Sequence, residues 1–227
     1  VSTARAQDAQ APVPGSPPAA QTQSGASAPP LPSVHEVVDV VGVTPVDDLG
    51  VPRSAVAANV QTVSASDFSD RPGATFGNIL ETQLASVHLN EAQSNPFQPD
   101  LQFRGFVGSP LLGLPQGIAV YQNGVRLNEA FGDTVNWDTI PQTAIARMDV
   151  WSSNPVFGLN ALGGAINVVM KNGFTWQGAE ASAQGGSFGH AMASLQYGLQ
   201  DGDFSLYGAA EGVHDDGWRL HSGSNVG

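Results

Sequence analysis

The sequence predicts an α+β domain of short strands and two or three helices. A disordered arm precedes it, and antiparallel strands of the kind that build a transmembrane β-barrel follow it. Three observations carry this reading. Composition breaks at residue 34; strand alternation and helical spacing take turns over 34–172; and after Gly173 apolar and polar residues alternate over long runs. Twelve of the last 55 residues are glycine, which argues against a conventional sandwich core for those runs.

Residues 1–33 are the arm. Ala, Pro, Gln and Ser make up 24 of the 33, too little apolar surface to offset ordering. Within it, Ala4-Arg5-Ala6 has the small-x-small form of a signal-peptidase site. Val34-His35-Glu36-Val37-Val38-Asp39-Val40-Val41-Gly42-Val43 is strand-prone and sits between the arm and the turn-forming Thr44-Pro45 and Asp47-Asp48-Leu49-Gly50. It reads either as the first strand of the domain's own sheet or as an edge-pairing peptide offered to a partner. Asn59–Val63 alternates as a strand, and Ser64-Ala65-Ser66-Asp67 has the spacing of a capping box that opens a short helix. Phe76, Ile79, Leu80, Leu84 and Val87 recur at helical spacing, so 74–86 reads as an amphipathic helix.

Leu101–Phe106 alternates as one strand with Arg104 on its polar face. Ile118–Gln122 runs into Asn123-Gly124 and Val125-Arg126-Leu127, a strong hairpin signal. Pro141 suits the first turn of a helix through Ala146, followed by a strand Met148–Trp151. Gly163-Gly164 opens a last domain strand, Ala165–Met170. In the tail, Ala179, Ala181 and Ala183 alternate with Glu180, Ser182 and Gln184, and Ala191–Gln200 repeats the pattern. A turn at Asp201-Gly202-Asp203 then leads into a third strand from Phe204 to Trp218.

Eight Lys+Arg against 20 Asp+Glu leave a net charge of −12, which repels a phosphate backbone and excludes nucleic acid as a partner. Without cysteine there is no thiolate metal site and no cysteine nucleophile. No apolar run is long enough for a transmembrane helix, whereas a transmembrane strand needs only alternation. No nucleophile elbow, phosphate loop or zinc-binding helix motif occurs, so an enzyme is not expected, nor a metal or cofactor. His214-Asp215-Asp216 with His221, and the carboxylates Glu91, Asp100, Glu129, Asp133 and Asp138, read as solvated loop residues. Arg104 reads as a surface arginine or as a cation held against an enclosing wall.

Four stretches together resemble the TonB-dependent outer-membrane receptors. Leu101–Phe106 is similar to the family's "IRG" strand, and Val120–Val125 to its "Y-x-D-G-V" hairpin. Ile140-Pro141 through Val150 resembles the "I-ER-IEV" step, and Phe157-Gly158 with Ala161–Lys171 the exit from plug to barrel. Ser153-Asn154-Pro155 replaces the family's Arg-Gly-Pro.

The resemblance implies a plug domain, a mixed four-stranded sheet with helices, seated in a barrel of the Gram-negative outer membrane. The expected layout is a periplasmic arm (1–33), a TonB-box-like segment (34–44), the plug (45–173) and the first barrel strands (174–227), the barrel being completed by a longer gene product. The box is placed at Glu36–Val43, engaged through strand addition by TonB with its ExbB/ExbD energy complex. Arg104 becomes a plug–barrel contact. Asn95, Phe97, Gln98, Leu111, Leu112, Phe131, Asn136 and Trp137, in the loops 90–100, 108–116 and 128–137, become ligand-facing. The ligand is expected to be a small molecule such as a siderophore or other nutrient. The competing expectation is a soluble periplasmic interaction module with the same fold and no transport.

Overall fold

In the computed structural model the described residues are 40–42, 50–52, 58–71, 74–91, 95–152, 157–217 and 223–226. The arm, Glu36–Asp39 and Val43 of the valine segment, Ser153-Asn154-Pro155, Trp218 and His221 lie outside them.

Within the valine segment, β1 (Val40–Gly42) pairs antiparallel with β2 (Gly50–Pro52), Val41 opposite Val51. Val40–Gly42 therefore belong to a two-stranded sheet of their own, not to the domain's main sheet.

The main sheet is built from β3 (Val60–Ser64), β7 (Ile118–Gln122), β8 (Val125–Arg126), β9 (Ile145–Ser152) and β10 (Gly164–Met170). Its order is β3-β9-β10-β7-β8, with β10 parallel to β7 and the other pairs antiparallel. This is the mixed sheet expected, four strands of at least five residues plus a two-residue edge. Period-2 alternation sorts its side chains. Val63, Ile118, Val120, Met148, Val150, Ile166 and Val168 join one core; Val60, Ala119, Tyr121, Trp151 and Ala165 join another with Phe157 and Ala161.

The first core is covered by α2 (Phe76–Gln83), which buries Phe76, Ile79 and Leu80. Eight residues are too few for a helix to persist alone, so burial at about 1.5–3 kcal/mol per large side chain maintains it. Thr75 caps its first turn by accepting from Asn78 N–H at 3.3 Å. The helix is shorter than the 74–86 expected, because Leu84 is already extended and Ser86 takes φ +63° to turn the chain into β4 (Val87–Asn90). Ahead of it, α1 (Ala65–Ser69) starts where the capping-box spacing placed it. The Asp67 carboxylate accepts from the Ser64 backbone N–H at 2.8 Å and from the Ser64 hydroxyl at 2.7 Å.

A second small sheet stacks β4, β5 (Asp100–Phe103) and β6 (Phe106–Gly108). Here the single strand expected over Leu101–Phe106 is corrected to a hairpin. Arg104 (φ +54°) and Gly105 (φ +87°) form its two-residue turn, the geometry of a type I′ loop. Asn123 (φ +46°) and Gly124 (φ +80°) make the equivalent turn between β7 and β8, where the sequence pointed to it. The helix expected through Ala146 is also corrected. It is a 3-10 turn at Gln142–Ala144, because Ile145 already pairs with Met170 in the sheet.

Gly163 and Gly164 are required by close approach. A Cβ on Gly164 would lie 2.3 Å from the Trp151 carbonyl oxygen, and one on Gly163 would lie 2.3 Å from Phe106.

The tail forms one antiparallel sheet: β11 (Gly178–Gly185), β12 (Ala191–Asp201), β13 (Phe204–Asp215) and β14 (Ser224–Val226). Its turn is tighter than expected, since Asp201 and Phe204 still pair across Gly202-Asp203, and the third strand stops at Asp215.

Candidate functional site

Two regions of this fold gather candidate side chains: the seam between the domain and the tail sheet, and the loops at the end of the main sheet where β7 and β10 begin.

The tail sheet has two chemically distinct faces. Ala179, Ala181, Ala193, Leu195, Tyr197, Phe204 and Leu206 occupy the outer one, with Leu195, Tyr197, Phe204 and Leu206 about half exposed or more. The inner face is a polar lattice. Gln196 donates to Glu180 at 2.9 Å and accepts from the Tyr207 hydroxyl at 3.0 Å, while Ser182 and Ser194 bond at 2.7 Å.

That inner face touches the domain. Glu211 of β13 accepts from Thr143 N–H at 3.1 Å, and Lys171 Nζ donates to the Thr143 carbonyl at 2.8 Å and to Gln196 Oε1 at 3.1 Å. The Lys171 ammonium also stands 5.6 Å from the Trp176 ring centre. Burial holds its pKa below the ordinary lysine value, opposed by the nearby Glu180 charge. Beside these contacts a cavity of about 420 Å³ separates Phe68 and Arg71 from Glu180, Ser194 and Gln196. Lys171, Thr143 and Glu211 were not singled out from sequence. The available signal was a carboxylate set among Tyr207, Ala209 and Val213 in the inward row of β13.

At the other region, Phe131 is 79% exposed on a loop held firmly from below. Asp133 accepts from Arg126 at 2.8 Å and from Asn160, Asn128 donates to the Asp133 carbonyl at 3.1 Å, and Glu129 N–H donates to the Thr134 carbonyl at 2.8 Å. Leu112, 62% exposed, lies over Gly132, where a Cβ would come within 2.5 Å of it. Asn160 brings the exposed Leu159 to the same place.

Of the residues expected to face ligand, the structure thus joins Leu112 and Phe131. It corrects Trp137, which is 2% exposed in the core, its indole N–H donating to the Gly108 carbonyl at 3.2 Å. Two neighbours are tied to it or to the seam. Gln98 accepts from Trp137 N–H at 3.1 Å, and half-buried Phe97 lines a cavity with Pro141, Ala209 and Val213. Asn95 accepts from Phe97 N–H at 3.0 Å, Asn136 donates to Glu129 at 3.1 Å, and Leu111 N–H donates to Ser109 at 3.0 Å. These three polar contacts shape the loops. Arg104 is exposed at its hairpin turn, with its N–H on the Ser86 carbonyl.

Several of the ionisable residues have local partners. Asp100 bonds Ser109, His190 pairs with Asp215 at 3.0 Å and His214 with Asp216 at 3.2 Å. Among the described residues no group of three His, Asp or Glu side chains is placed to hold a metal ion.

Comparison with known proteins bears on both regions. The family model described as TonB-dependent Receptor Plug Domain matches residues 52–165. The vitamin B12 transporter BtuB of Vibrio cholerae serotype O1 is 24% identical over 165 residues, covering 72% of this chain and 26% of BtuB. The pyoverdine outer-membrane receptor FpvA of Pseudomonas aeruginosa PAO1 superposes with a TM-score of 0.58 at 12% identity, over 78% of this chain and 25% of FpvA. The alcaligin outer-membrane receptor FauA of Bordetella pertussis gives 0.57 at 16% identity, over 78% and 29%. The chain therefore spans about a quarter of the length of these relatives.

Proposed function

Because this chain belongs to the TonB-dependent receptor plug-domain family, we propose that it forms the plug and first wall strands of an outer-membrane transporter. In this reading TonB, driven by ExbB/ExbD, energises the uptake of a small-molecule ligand past the plug. The observation that carries the reading is the two-faced tail sheet. Its outer face is apolar and suited to lipid, and its polar inner face is hydrogen-bonded to the plug at Thr143 and Lys171. A soluble module would leave Leu195, Tyr197, Phe204 and Leu206 in water as one patch, the arrangement soluble proteins avoid.

The layout follows from the same reading: residues 1–33 a periplasmic arm, 34–44 the TonB-box segment, 45–173 the plug and 174–227 wall strands. TonB adds a strand to Glu36–Val43, of which Val40–Gly42 already has strand geometry. Ligand meets the plug at Leu112 and Phe131, with Asn95, Leu111 and Asn136 shaping the loops behind them. Arg104 reaches the wall from its exposed turn. Vitamin B12 and pyoverdine, the molecules for which two relatives are named, support a small-molecule cargo such as a siderophore or other nutrient.

The test is uptake of labelled vitamin B12 and a panel of ferric chelates by cells carrying the full-length receptor, with and without TonB. Uptake of at least one probe only when TonB is present is expected. A protein that stays in the soluble periplasmic fraction and supports no TonB-dependent uptake would sink the reading in favour of an interaction module.

A further inference from the structure

Both backbone polar groups of Thr143 are taken by charged side chains from outside its own turn. Its N–H goes to the Glu211 carboxylate at 3.1 Å and its carbonyl to the Lys171 ammonium at 2.8 Å. Lys171, the chain's single lysine, also holds Gln196 of β12 at 3.1 Å, and its own backbone N–H donates to the Ala144 carbonyl at 2.7 Å. The turn at Gln142–Ala144 is thus held to the wall from two sides, by a side chain of β13 and by a lysine that bridges to β12.

The position of this corner is informative. Gln142–Ala144 leads directly into β9, and Lys171 follows directly on β10, two of the three strands in the sheet order that are paired on both sides. β3 and β8, at the two ends of that order, each pair with one neighbour only. The contacts with the wall therefore fall on the part of the plug least able to deform. A charged group set in a seam needs a hydrogen-bond partner to offset its lost hydration, and each of these two finds it on the same residue.

We propose that Glu211 and Lys171 are positioning residues, a two-point clamp that seats the central strands of the plug on the barrel wall by gripping Thr143. The proposal rests on the transporter reading. It adds a role for three residues that neither the family model nor the relatives' names assign. The clamp acts on backbone groups, so the side chain of Thr143 is free to vary, whereas a carboxylate or amide is needed at 211.

The test is potassium chloride conductance of the purified full-length receptor in planar bilayers, in steps of urea to open the plug. Glu211→Ala should raise open probability about tenfold at a given urea concentration, the weight of roughly one charge-assisted hydrogen bond. Glu211→Gln, whose amide oxygen accepts the same N–H, should restore most of the seating. Lys171→Met combined with Glu211→Ala should fall short of the product of the two single effects, because both grip one turn. Heat-modifiable mobility on gels checks that each variant barrel is folded. Should Glu211→Ala leave conductance unchanged in a folded barrel, or should the single effects multiply in full, the clamp is overturned and the transporter reading stands. Should the wild-type receptor form no conductance at any urea concentration, the transporter reading falls, and the clamp with it.

Discussion

Phe131 and Trp137 lie six residues apart in one connection, yet the structure gives them opposite surroundings, and a pair of truncations separates these. Trp137 is 2% exposed, its ring centre lies 5.7 Å from that of Phe76, and its indole N–H holds the Gly108 carbonyl at 3.2 Å. Trp137→Ala removes a large buried aromatic and leaves a carbonyl without its partner, a loss of about 3–5 kcal/mol. At 1.4 kcal/mol per tenfold, local opening of β5, β6 and β7 should become roughly two to three and a half decades more frequent. Phe131, 79% exposed, supplies almost no packing, so Phe131→Ala should change stability by no more than about 0.5 kcal/mol. Hydrogen exchange on the full-length receptor reads this strand by strand and is insensitive to the stability of the barrel around it. Faster exchange in Trp137→Ala confined to those strands, with Phe131→Ala near wild type, is the expected outcome. Equal effects, or less than a tenfold change for Trp137→Ala, would refute the assignment of Trp137 to the core.

Three further outcomes are expected. Under the transporter proposal, Val41→Pro deletes a backbone donor from β1, so TonB-dependent uptake of whichever probe the wild-type receptor carries should be lost while its binding to cells persists; surviving uptake would overturn the proposed box at Glu36–Val43. Gly164→Ala should impair folding, because its Cβ would fall 2.3 Å from the Trp151 carbonyl oxygen, a fixed backbone atom; a wild-type yield of folded receptor would contradict the close approach. Lys171 has a folded-state pKa below its unfolded value, so the penalty for keeping it charged is fully present at neutral pH. It is relieved as pH rises through the lowered value toward 10.5. Urea unfolding of the receptor should accordingly gain stability across that window relative to Lys171→Met, and parallel curves would remove the effect.

What the sequence made legible was what local chemistry decides. The Asn123-Gly124 turn, the capping contact at Ser64 and Asp67, and the alternation of the tail strands each rest on a few adjacent residues, and each appears in the structure where those residues place it. The failures share a cause as well. Arg104 in a left-handed conformation is paid for by the pairing of β5 with β6, a tertiary effect with no signature at the arginine itself; the glycine after it was the one available hint. Pro141 was compatible with a helix, but the pairing of Ile145 with Met170 claimed the next residue for the sheet. Trp137 looked apical because its neighbours are polar loop residues, whereas burial is decided by Phe76 and Gly108, distant in the chain. The seam contacts at Thr143 were invisible for the same reason: Glu211 is 68 residues away.

The loop that carries Phe131 has a mechanical consequence. Asp133 ties it to Arg126 on β8, and β8 is joined through Asn123-Gly124 to the far end of the sheet, where Asn123 accepts from Met170 N–H at 2.9 Å. A load placed on the loop tip has little slack to absorb it, so it passes along the β7–β8 hairpin as along a short lever. The other end of that lever rests one residue from Lys171, on the opposite side of the sheet's length from the surface where the load arrived.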